Sequence, residues 1–117
     1  GYGGTGEIMV EAANALFEKH DLVVQVLIIT QIYPFTVKPY LELISEGQGL
    51  VIVEEGQGFV SFGSEVLAQM VELDAASSLR IRRVMPEPHC IPSSGQLEKE
   101  VLPNVEKIIN VALNLGV

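Results

Sequence analysis

Tryptophan is absent, and a single cysteine, Cys90, occurs in 117 residues. One thiol excludes an intrachain disulfide and a multi-thiolate metal site. It fits a reducing compartment, the cytoplasm or, in a eukaryote, the mitochondrial matrix. Basic residues are few: 7 Lys and Arg against 15 Asp and Glu give a formal net charge of -8. A surface of that sign repels nucleic acid and anionic lipid. Aromatics, at 6%, are too sparse for a base-stacking platform. Long apolar runs are missing too. The longest, residues 22–29, is interrupted by Gln25 and falls far short of the ~20 residues a membrane helix needs. The start, Gly1-Tyr2-Gly3-Gly4, has neither the basic region nor the apolar stretch of a signal peptide. Without an initial Met it reads as a processed or excised segment. No H-E-x-x-H, C-x-x-C or EF-hand spacing occurs.

What remains is a globular composition, 48% hydrophobic and 19% charged, with a length that suits one domain over residues 1–117. The apolar positions order it. Thr5 is placed to cap a helix reaching about His20, whose apolar face is Ile8, Met9, Ala12, Ala13, Leu16 and Phe17. Residues 22–30 (LVVQVLIIT) are β-branched and nearly all apolar, the pattern of a strand covered on both faces. Pro39 opens a short helix over residues 40–45. Residues 49–54 (GLVIVE) predict a second buried strand, and Ser64 a cap for a helix carrying Val66, Leu67, Met70, Val71 and Leu73. Residues 79–84 (LRIRRV) alternate and predict a strand near a sheet edge. Residues 85–95, with three prolines, are irregular, and Asn104 caps a last helix with Val105, Ile108, Ile109, Ala112 and Leu113 on its buried stripe.

Helices alternating with buried strands imply an α/β fold around a mostly parallel sheet. A Gly-rich turn feeding a helix normally follows a strand. Gly1-Tyr2 therefore reads as the tail of a strand whose body is missing, or as a fold that takes that strand from elsewhere.

Few residues point to chemistry. Gly1, Gly3 and Gly6 satisfy G-x-G-x-x-G, but the acidic residue a dinucleotide site wants after the second strand is lacking. A tight strand-to-helix turn explains them better, with small-anion binding as the alternative. Glu54 and Glu55 end a strand, where ligands of open α/β sheets often bind. Adjacent strand residues point to opposite faces, so they make a poor acid–base pair; hydrogen bonding to turn amides and lining an interface suit them better. His89 and Cys90 are neighbours in a proline-rich loop, and such neighbours rarely aim at one another. Arg80 and Arg82 share a strand face, placed to meet a partner carboxylate. Interface candidates are Glu54, Glu55, Arg82 and His89.

Several blocks together resemble the transketolase C-terminal domain. Gly1-Tyr2-Gly3-Gly4 before Glu11-Ala12-Ala13 is similar to its opening. Residues 23–30 with Ile32-Tyr33-Pro34 resemble its second block. Val51-Ile52-Val53-Glu54-Glu55-Gly56, then Phe62-Gly63-Ser64-Glu65-Val66, resemble its strand, loop and helix. Arg83-Val84 through Pro92, with Leu97-Glu98 and Leu102-Pro103-Asn104, are most similar to the tail of the beta subunit of 2-oxo-acid (pyruvate or branched-chain) dehydrogenases. Val60-Ser61 stands where relatives often have a glycine pair.

The resemblance implies a three-layer α/β/α sandwich with one antiparallel edge strand, its leading strands absent here. It implies no cofactor in this domain, with thiamine diphosphate and magnesium held by the preceding domains of the intact enzyme. Its partners would be those domains, the other subunits of a homo- or hetero-oligomer, and the dihydrolipoyl acyltransferase core, with neither nucleic acid nor membrane. The role implied is non-catalytic assembly within a decarboxylating oxidoreductase. Transketolase or deoxyxylulose-phosphate synthase is the alternative parent; a stand-alone module binding a small anion is the alternative of another class.

Overall fold

The computed structural model describes residues 1–87 and 94–116. Helix α1 (Thr5–His20) is followed by a 3-10 turn (Lys38–Tyr40) that runs into α2 (Leu41–Ser45). Strand β1 (Gly49–Val53), α3 (Phe62–Glu72), β2 (Arg80–Val84), α4 (Gly95–Val101) and α5 (Val105–Leu113) complete the order.

β1 and β2 pair in parallel, Gly49 opposite Arg80 and Val53 opposite Val84. Alternate strand side chains leave on opposite faces. Val53 and Val84 pack with Met9 and Ala12 of α1 and Ile108 of α5. Ile52 packs with Val37 and with Val66 and Met70 of α3. β1 is therefore apolar without alternation because helices cover both of its faces. These are the layers expected of an α/β/α domain. Among the described residues the regular sheet has two parallel strands, and the antiparallel edge strand implied by the resemblance is not among them.

Residues 22–30 differ from the expectation. They form no ladder; among the described residues their pairing is one parallel bridge, Ile29 to Tyr2. The Ile29 N–H donates to the Gly1 carbonyl at 2.9 Å. A strand exists only against a neighbour, and here the neighbour reaches just one end of the segment.

The caps shift as well. Gly4, not Thr5, is the N-cap of α1, and the Thr5 hydroxyl instead donates to the Tyr2 carbonyl at 2.7 Å. Ser61, not Ser64, caps α3, its Oγ accepting the Ser64 N–H at 3.3 Å. Asn104 caps α5 as expected, Oδ1 accepting from the Lys107 N–H at 2.8 Å. Phe17, assigned to the apolar face of α1, is 56% exposed. The buried stripe narrows to Met9, Ala12 and Leu16. Helix α4 was unforeseen because GQLEKEV offers a single apolar pair at helical spacing, Leu97 and Val101, too short a run to set a period.

Candidate functional site at the strand ends

Glu54 directly follows β1, and its side chain is fully buried. A buried carboxylate needs hydrogen-bond donors to offset lost hydration. The Gly63 N–H donates to Oε1 at 2.9 Å, and the Ser61 hydroxyl donates to Oε2 at 2.9 Å. Gly63 lies in the first turn of α3, so the negative charge meets the positive end of a helix. The Ser61 and Ser64 hydroxyls are 3.2 Å apart. Arg83 donates through Nη1 to the Ser64 hydroxyl at 2.9 Å and to the Gly58 carbonyl at 2.8 Å. Two serines thus link Glu54 to Arg83 and fasten the loop between β1 and α3.

Glu55 is exposed and lies by the start of α1. A Cβ built on Gly4 would come within 2.6 Å of its Oε1. The two glutamates leave on opposite sides, as adjacent residues ending a strand should. Arg82 belongs to neither group. Its Nη1 donates to the Ile81 carbonyl at 2.8 Å, and it borders a recess of about 180 Å³ with Asn110 and Asn114 of α5. His89 lies outside the described residues.

Ser61, Ser64 and Arg83 were not among the candidates. Arg83 carried a signal: it shares the strand face of Leu79 and Ile81, where alternation calls for an apolar residue. An arginine there implies buried polar partners.

The N-terminal turn is closed by its own bonds. The Thr5 and Gly6 N–H groups donate to the Tyr2 and Gly3 carbonyls at 3.4 and 3.2 Å. Gly3 takes a left-handed φ of +60°, which glycine adopts without strain. An anion would find these amides engaged and Glu55 alongside. Burial raises the Tyr2 pKa, with Glu54 and Glu55 adding to it. Tyr2 also meets the Phe62 ring edge-on, 5.2 Å between centroids.

The Gly1 ammonium donates to the Leu27 carbonyl at 3.0 Å. Burial lowers its pKa to about 6 from 8.0, against the opposing pull of Glu54. The unfolded chain therefore binds more protons than the folded one between about pH 6 and 8, so stability rises with pH across that window. The effect is lost as pH falls through it. Acetylating Gly1 should flatten this slope in urea melts. An unchanged slope after acetylation would assign it to a group other than the Gly1 ammonium.

Beyond Glu55 the loop turns outward. Phe59 is 89% exposed and Val60 83%. Val60 has a φ of +52°, where a β-branched side chain crowds its own backbone. Val60→Gly should stabilise the domain by roughly 0.5–1 kcal/mol, strain relief outweighing glycine's greater chain entropy. A denaturant midpoint that falls or stays put would show that no strain is held there.

The family model of the transketolase C-terminal domain matches residues 1–108 of the 117. The chain belongs to that family. It is a C-terminal domain of the kind associated with thiamine-diphosphate enzymes. No curated protein matches the chain. The helix amides of the Gly-rich turn are engaged and faced by a carboxylate. Among the described residues no three His, Cys, Asp or Glu gather as metal ligands.

Proposed function

We propose that this is the C-terminal assembly domain of a thiamine-diphosphate-dependent 2-oxo-acid dehydrogenase, in its beta subunit or a fused equivalent. The intact enzyme decarboxylates a 2-oxo acid and passes the acyl group to a lipoyl carrier. The preceding domains hold thiamine diphosphate and magnesium. This domain holds subunits together and frames the docking surface for the dihydrolipoyl acyltransferase core.

One observation supports the assembly role above others. Each oxygen of the Glu54 carboxylate accepts one bond, from the Gly63 amide and from the Ser61 hydroxyl. Both of its oxygens stiffen a loop whose tip presents Phe59 and Val60 to solvent. A rigid apolar tip is an interface feature, because exposed apolar area on a fixed loop associates with little ordering entropy. Glu55, also exposed, belongs to the same loop. The resemblance of residues 97–104 to dehydrogenase beta subunits favours that parent over transketolase or deoxyxylulose-phosphate synthase.

Two measurements test the reading. Phe59→Asp in the intact enzyme should shift its mass in solution from oligomer toward protomer, or release the acyltransferase core, while the domain's own melting changes little. Profiling the intact enzyme should give turnover with a 2-oxo acid and a lipoyl acceptor. Turnover with ketose phosphates alone would sink the dehydrogenase assignment, and decarboxylation by the isolated chain would sink the assembly role.

A further inference from the structure

All three arginines of the chain, Arg80, Arg82 and Arg83, lie in β2. The chain carries 15 acidic residues, yet the described bonds of these arginines end on neutral oxygens. Arg80 donates to the Leu115 carbonyl at 3.2 Å and to the Gly116 carbonyl, and so holds the turn that ends α5. Arg83 turns the other way, to the Gly58 carbonyl and the Ser64 hydroxyl. Arg82 folds back on its own strand and donates to the Ile81 carbonyl at 2.8 Å. Arg80 and Arg82 are exposed, and Ile81 is half-buried.

Among the described residues β2 has a strand on one side only, β1. The Arg80 N–H donates to the Gln48 carbonyl at 3.3 Å, and the Val84 carbonyl accepts from the Glu54 N–H at 2.9 Å. Backbone groups alternate in direction along a ladder, so Arg80, Arg82 and Val84 turn theirs to β1. Ile81 and Arg83 aim theirs outward. The edge therefore offers the N–H and C=O groups of Ile81 and Arg83 to a further strand. Arg82 lies across one of them, the Ile81 carbonyl.

The side chains beside this edge set what it accepts. Arg82 borders the recess of about 180 Å³ with Asn110, Val111 and Asn114. An uncharged strand would have to displace the guanidinium from the Ile81 carbonyl with no compensating bond. A strand that carries Asp or Glu toward the recess supplies a better acceptor, because an arginine–carboxylate bond is charge-assisted and can be bidentate. On the opposite face the neighbours are Leu79 and Ile81, which suit an apolar residue. A second copy is a poor occupant. Two β2 edges laid together would set the Arg80 and Arg82 side chains of one copy near those of the other, and like charges across a ladder are destabilising.

We propose that the outer edge of β2 is a strand-addition site for an extended acidic segment of a partner protein, and that Arg82 selects it. In the free chain Arg82 occupies the Ile81 carbonyl. The partner's carboxylate seats in the recess beside Asn110 and draws the guanidinium off. That carbonyl is then open to the partner's N–H. Strand side chains alternate between faces. Every second residue of the segment is therefore Asp or Glu on the α5 side, and the residues between are apolar on the α3 side. The inference rests on β2 and α5 alone. It holds whichever enzyme the domain serves, and it is independent of Glu54 and Phe59.

The test is fluorescence anisotropy with the full-length protein and labelled peptides of about seven residues. One alternates Glu and Val, a second has Gln in place of Glu, and a third keeps Glu but has Pro in place of Val. The Glu/Val peptide should bind saturably, and the Gln/Val and Glu/Pro peptides should bind about tenfold more weakly or worse. In Arg82→Gln the preference for Glu over Gln should fall from about tenfold to near one. The denaturant midpoint of that variant should stay put, because Arg82 is exposed. The proposal is overturned if the Glu/Val peptide fails to bind at millimolar concentration, or if the Gln/Val peptide binds as tightly. Equal binding of the Glu/Pro peptide also overturns it, because charge without strand pairing would then suffice. So does a Glu preference that survives in Arg82→Gln, since another residue would then select the carboxylate.

Discussion

Replacing Glu54 with alanine should cost about 3 kcal/mol of folding stability, one of the two largest effects expected of any single change near the strand ends. Two losses add. The side chain is fully buried, so truncation leaves a cavity. The Gly63 N–H and the Ser61 hydroxyl also lose their acceptor, and an orphaned buried donor forfeits its full desolvation penalty. Glu54→Gln separates the two. It keeps the volume and one acceptor for Gly63 but places an NH₂ where Ser61 donates. Because that hydroxyl can turn to accept, the expected loss is only about 1 kcal/mol. The order Ala far worse than Gln is the check, read as denaturant midpoints with unchanged slope. Equal losses would mean that charge at the start of α3, rather than shape and hydrogen bonding, sets the role of Glu54.

That role also explains what the sequence could and could not disclose. The strands β1 and β2 and the helices α1, α3 and α5 were legible because each carries its own apolar pattern, which depends on nothing distant. Val51 and Val53 face one helical layer and Leu50 and Ile52 the other, and an unbroken apolar run is what such a strand must have. Residues 22–30 have the same composition yet form no ladder. Composition records that both faces are covered; it does not record whether a neighbouring strand is in place. The site was half legible for a similar reason. Glu54 and Glu55 end a strand, and their opposite orientations follow from strand geometry alone. Arg83 reaches the Ser64 hydroxyl across 19 positions, and no local period announces such a pairing. Nor could the sequence place Arg82 beside α5 and away from the glutamates. That needed the register of β2 against β1 and the layer to which α5 returns.

Gly63→Ala should likewise destabilise the domain, by roughly 2–3 kcal/mol, although helix propensity alone predicts a gain of up to about 1 kcal/mol. The clash decides the sign. A Cβ at position 63 would lie 2.2 Å from Glu54 Oε2 and 3.0 Å from Ile52 Cγ2. Glu54 cannot swing aside cheaply, because it is fully buried and held through both oxygens. Any escape breaks the bonds that stabilise it. The same geometry makes the effect conditional. In a Glu54→Ala background the nearer obstacle is gone and only the Ile52 contact remains, so alanine at position 63 should cost less than about 1 kcal/mol there. The double-mutant cycle over Glu54 and Gly63 should therefore return a coupling of about 2 kcal/mol. Additive losses would place the strain of the Gly63 variant against Ile52 and the strand, and would remove Glu54 as the reason this helix begins with a glycine at its second position.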